Sequence, residues 1–128
     1  MHFLRLTALL LCVLFIANCG SGPATISDTI TSAELVQRAQ EASDRNRYKQ
    51  SLRYYEIILE RFPTNNDYVC AAEYEIAFIH YKQKKYDLSE SEFNDLLARY
   101  DTPDAELLPQ KYRILANIVI ARINERKK

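Results

Sequence analysis

The sequence predicts an all-α protein built as a short α-solenoid, with two helix–turn–helix repeats and a C-terminal capping helix. Two observations predict it. No stretch alternates apolar and polar residues with period two, whereas apolar residues recur three and four apart along most of residues 32–126. The chain also matches itself when shifted by 38 residues. That shift sets Ala39 on Ala77, Tyr48 on Tyr86, Ser51 on Ser89, Leu59 on Leu97 and Arg61 on Arg99, with Tyr55 on Phe93, Ile58 on Leu96 and Phe62 on Tyr100 as conservative matches. A helix pair recurring every 30–45 residues or so is the mark of stacked helical repeats, each burying its apolar face on the next. The 48% apolar content and only two glycines suit ordered helices rather than a disordered chain.

The elements follow in order. Residues 1–18 read as a leader: Arg5 supplies a positive charge, and Leu6 to Ile16 is an apolar run of about eleven residues. A bilayer-spanning helix needs about 20, so the run has the length of a signal-peptide core instead. Residues 19–30 read as a cysteine followed by a flexible tether, whose residues 20–30 would reach roughly 35 Å at about 3.3 Å per residue. Helices are expected at about 32–45, 48–61, 67–83, 87–99 and 109–126. Thr31-Ser32-Ala33-Glu34 has the form of a capping box and starts the first. Pro63 and Pro103 interrupt the pattern because proline cannot donate to the helical ladder. Pro109 suits the first turn of the last helix. With the leader set aside, roughly 110 residues remain, enough for one domain over 31–128.

The end of the leader, Ile16-Ala17-Asn18-Cys19-Gly20, resembles a lipobox, the apolar-small-small-Cys tetrad of bacterial lipoproteins. Ile16 and Ala17 fit the pattern, and Asn18 stands where Gly, Ala or Ser is usual. The resemblance implies cleavage before Cys19 and a covalent lipid on that cysteine. Two or three acyl chains suffice for stable anchoring. Gly20 follows where an aspartate would be the usual inner-membrane retention signal, so the expected location is the cell envelope, on the outer membrane facing the periplasm.

The repeated helix pairs are similar to the tetratricopeptide family. The matching residues of the first repeat (about 32–63) are Leu35, Arg38, Ala39, Ala42, Ser51, Tyr55 and Pro63; those of the second (about 70–103) are Glu73, Ile76, Ala77, His80, Ser89 and Phe93. A half-repeat continues with Tyr112, Leu115, Ala116 and Val119. Ala39 with Ser51, and Ala77 with Ser89, fall twelve apart and are expected where the two helices of a repeat cross closely. The sequence departs from the family in having no Trp, in Arg38 and Glu73 at usually apolar positions, and in its period of 38 rather than 34. The four extra residues are expected in an extended loop, Pro63 to Tyr68. Such loops resemble those of bacterial envelope tetratricopeptide proteins, a group that takes in the outer-membrane-assembly lipoprotein and the Tol-Pal cell-division coordinator.

The resemblance implies a peptide-binding face lined by the first helix of each repeat. In the second repeat that face should carry Ala71, Tyr74, Phe78, Tyr81 and Lys82, bordered by Val36 and Gln40 on one side and Arg113 and Asn117 on the other. Tyr74, Phe78 and Tyr81 make an aromatic stripe of the kind enriched at interface hot spots, although packing against neighbouring helices would also account for it. In the final helix, Tyr112, Leu115, Ala116, Val119 and Ile123 should face the second repeat. Ile114, Ile118 and Ala121 lie opposite, a candidate assembly face on a helix whose outer side is normally polar.

Other chemistry finds little support. Removing the leader takes away Arg5 and leaves sixteen basic against seventeen acidic residues, which offers no electrostatic footprint for nucleic acid. No phosphate loop, nucleophile motif or metal-ligand cluster stands out, and Glu73 and Glu75 fall on different helix faces. His80 reads as structural and Cys70 as a buried small hydrophobe, while Lys82, Lys84, Lys85 and Arg126-Lys127-Lys128 read as solvated charge. The expectation is a non-enzymatic adaptor with no metal or cofactor beyond the lipid on Cys19. Its partners would be the membrane and another envelope protein. The alternatives are a self-associating subunit, dimeric with a second copy, or an accessory of a transport system.

Overall fold

The computed structural model describes residues 25–128; the leader, Cys19 and the first residues of the tether lie outside them. The described residues are all-α: α1 (Ser32–Asp44), α2 (Tyr48–Arg61), α3 (Asn66–Lys82), α4 (Tyr86–Ala98) and α5 (Gln110–Arg126), with 3₁₀ turns at Arg99–Asp101 and Ala105–Leu107. Each helix packs on the next, α3 also meets both α1 and α5, and α2 and α4 share no comparable interface. The first helices of the repeats thus form one closer-set layer and the second helices the other. Two helical hairpins and a capping helix stack into a short, repeat-like α-solenoid.

Local chemistry sets the boundaries. Thr31 accepts the Glu34 backbone N–H, and the Glu34 carboxylate accepts the Thr31 N–H, closing the expected capping box. These bonds to the charged form hold the Glu34 carboxyl below its ordinary value. Asn65 caps α3 by accepting from Tyr68 N. Pro109 stands at the cap of α5 rather than inside its first turn, and its carbonyl accepts the Tyr100 hydroxyl at 2.8 Å.

The two hairpin turns are the same object. Asn46 and Lys84, 38 residues apart, both adopt the left-handed conformation, with φ of 57° and 62°. Behind them Arg47 N–H donates to the Ala42 carbonyl at 2.8 Å and Lys85 N–H to the His80 carbonyl at 2.9 Å. This is the six-to-one bond of a Schellman motif, here built without glycine. The repeated small residues also meet as expected. Ser51 Oγ donates to the Ala39 carbonyl at 2.7 Å and Ser89 Oγ to the Ala77 carbonyl at 2.8 Å, with all four residues fully buried. Each hydroxyl satisfies itself on the facing backbone, so the helices can approach without stranding a polar atom.

Two cores result. Leu35, Ala39, Tyr55, Ile57, Ile58, Ala72 and Ile79 form the first, and Cys70, Ala77, Phe93, Leu96, Tyr100, Ala116, Val119 and Ile123 the second. Cys70 is a buried free thiol whose ionisation burial opposes.

Three expectations are corrected. The tether does not extend to residue 30. Ile30 is buried and Ile26 packs beside it on the first core, while Arg61 donates to the Ser27 carbonyl at 2.9 Å and pairs with Asp28 at 3.2 Å. The four extra residues of the repeat do not make a longer loop. With Asn65 as cap, α3 begins four residues before the position that α1 would set, so they become an added first helical turn. Leu115, expected against the second repeat, is exposed, and Ile120 packs there instead.

Candidate functional site

The inner layer of first helices carries the candidate binding face. On α3, Ala71, Glu75, Phe78 and Lys82 recur at intervals of four, three and four, and so follow one line along the helix. The first three are half-buried and Lys82 is exposed. Val36 and Gln40 on α1 and Arg113 and Asn117 on α5 lie on the neighbouring helices of the same layer.

Of the five residues expected on this face, Ala71, Phe78 and Lys82 lie on the line. Tyr74 and Tyr81 sit to one side, toward α5. Tyr74 is only 8% exposed and belongs to the second core, with its ring centroid 5.5 Å from Phe93 and 5.6 Å from Tyr112. Tyr81 lies 5.8 Å from Tyr86, and the Arg126 guanidinium stands 5.9 Å from its ring. The expected stripe is nonetheless continuous: Tyr74 stacks on Phe78, and Phe78 on Tyr81, each at 5.8 Å. Its two tyrosines fasten α3 to its neighbours, and Phe78 is the ring that reaches the inner face.

Lys82 is not merely solvated. Its ammonium donates to Ser43 Oγ at 2.6 Å and lies 5.2 Å and 5.5 Å from the Tyr48 and Phe78 rings. One cation therefore joins the end of α3 to the α1–α2 turn, through a hydrogen bond and two cation–π contacts. The C-terminal basic run is engaged in part as well: Lys127 pairs with Asp87 at 2.6 Å and with Glu90.

Glu75 is the residue that the sequence reading missed. Burial pushes its carboxyl above the ordinary range, with Lys82 opposing and Asp44 reinforcing the shift. The Tyr55 hydroxyl is fully buried and has no hydrogen-bond partner among the described residues. Burial drives the Tyr55 phenol far above its usual value, and the Glu75 carboxylate is the next cause. The inner face thus combines an apolar ring, a partly desolvated carboxylate and a cation along three turns of one helix. The four-three-four spacing could have revealed Glu75, but attention to aromatic residues hid it.

The remaining polar groups join one helix to another. Glu73 accepts two hydrogen bonds from Arg99, at 2.6 Å and 2.7 Å, which join α3 to the end of α4. His80 Nδ1 lies 2.7 Å from Glu92 across the α3–α4 hairpin. Among the described residues no three potential metal ligands cluster, and no helix is long and apolar enough to cross a membrane.

A protein of Treponema pallidum (strain Nichols), described only as uncharacterized, is 34% identical over 116 residues. The match takes in 89% of this chain but 46% of the relative, so the chain spans about half of that protein's length. No protein-family description matches the sequence, and no solved structure matches it.

Proposed function

We propose that the protein is a lipid-anchored adaptor of the bacterial cell envelope, whose tetratricopeptide-like body presents the inner face of α1, α3 and α5 to a segment of another envelope protein. The observation that carries this reading is the line Ala71–Glu75–Phe78–Lys82 on the layer of first helices, half-buried at its first three positions and exposed at its last. An extended peptide or a helix laid along it would meet an apolar ring between two opposite charges, and charge order along the line would select its direction. Support for the envelope comes from the lipobox-like Ile16-Ala17-Asn18-Cys19 and from a bacterial relative. Nothing in this role needs a cofactor or a catalytic group: the protein holds its partner where the lipid holds the protein.

Two experiments test the halves separately. Fatty-acid labelling and fractionation should find wild type in the membrane and Cys19→Ala unlabelled and released; a labelled Cys19→Ala protein would remove the anchor. Crosslinking in cells should capture a specific envelope protein, and Ala71→Arg, which fills the line without touching either core, should abolish that capture. Capture unchanged in Ala71→Arg and in Phe78→Ala would remove the inner face from the account.

A further inference from the structure

The outer side of α5 carries a second line, independent of the inner face. Lys111, Ile114, Ile118, Ala121 and Glu125 recur at intervals of three, four, three and four, the spacing of a coiled-coil seam. All five are exposed, Ile114 by 61% and Ile118 by 43%. They lie opposite Ala116, Val119 and Ile123, which bury the other side of the helix in the second core. The seam has an apolar middle, a cation at its first end and an anion at its last. Among the described residues neither end is in an ion pair, and the Lys111 ammonium rests 4.7 Å from the Tyr112 ring.

We propose that this seam is the interface with a second copy of the same chain, packed antiparallel about a twofold axis at Ile118. The charge order selects the occupant and its direction. Lys111 precedes Ile118 by seven residues and Glu125 follows it by seven. An antiparallel copy therefore sets Lys111 against Glu125 at both ends, whereas a parallel copy would set like against like. Across the axis Ile118 meets itself, Ile114 lies on the aliphatic stem of Arg122, and Ala121 keeps the helices close. A helix of 17 residues is about 25 Å long and offers less area than a standard interface, so the association is expected to be reversible.

Sedimentation equilibrium on residues 25–128, which contain both cores, tests this directly. The expected result is a reversible monomer–dimer equilibrium that Ile118→Glu weakens by more than about tenfold. Lys111→Glu alone should weaken it by about tenfold, and Lys111→Glu combined with Glu125→Lys should restore it to within about threefold. Circular dichroism and thermal melting of each variant show that the exposed substitutions leave the monomer folded. A monomer at concentrations on the order of hundreds of micromolar overturns the proposal and leaves the seam to a different helix. A dimer indifferent to Ile118→Glu, or one that the double charge reversal fails to restore, overturns it equally.

Discussion

Replacing Ser51 by valine tests whether the two helices of a repeat cross as closely as their geometry says. Ser51 has no exposure, and its hydroxyl donates to the Ala39 carbonyl at 2.7 Å. Ser51→Ala removes that bond but leaves the carbonyl its helical partner, so nothing buried is orphaned and the loss should be about 1 kcal/mol. Ser51→Val removes the bond and also adds a heavy atom where the facing residue is already an alanine. Overpacking of that kind costs roughly 1–3 kcal/mol, for a total of about 2–4 kcal/mol. In a domain of about 100 residues each kcal/mol lowers the midpoint by about 4–8 °C, so Ser51→Val should melt roughly 8–32 °C below wild type. Urea unfolding followed by far-ultraviolet circular dichroism gives the free energies, and Ser89→Ala and Ser89→Val repeat the measurement at the equivalent crossing. If Ser51→Val came within about 0.5 kcal/mol of Ser51→Ala, the crossing would have room to spare and the reasoning would fail.

Two further outcomes are expected. Burial raises the Glu75 carboxyl above 4.5, its ordinary value, so the folded state binds the proton more tightly than the unfolded state does; the ionised form costs stability, which falls as pH rises through the folded pKa. Glu75→Gln should therefore melt higher than wild type at pH 7, by a margin that shrinks to nothing well below pH 4.5; a margin constant across that range would show that Glu75 is not desolvated. Lys84 holds a left-handed conformation at φ 62°, so Lys84→Gly should stabilise by about 0.5–1 kcal/mol in urea unfolding and Asn46→Gly by less, because asparagine tolerates that region; a destabilised Lys84→Gly would contradict the turn geometry.

Features that depend on neighbours in sequence were legible before any coordinates. The capping box at Thr31, the prolines and the apolar periodicity put every helix within a residue or two of its observed bounds, because caps and breakers act within a single turn. The twelve-residue spacing of Ala39 with Ser51 marked the crossing, since a short hairpin brings those positions together whatever lies further off. What escaped was contact between distant segments. Arg61 reaches back 33 and 34 residues to Asp28 and Ser27, and Lys82 reaches 39 to Ser43. No local pattern separates such charges from solvated ones. Tyr74 was expected on the inner face for a related reason: adjacent positions on α3 face different neighbours, and only the place of α5 shows that Tyr74 turns toward Tyr112.

The docking of Ile26 and Ile30 changes what a lipid at Cys19 would do. Only the six residues 20–25 would then remain between the lipidated cysteine and the body, a leash of about 20 Å at full stretch. The leash joins beside α1, so that end of the stack would sit nearest the bilayer, with α5 at the far end. A pair joined through α5 would carry its two leashes at opposite extremes. Both could reach one membrane only with the pair lying along it like a raft, the long axis parallel to the surface.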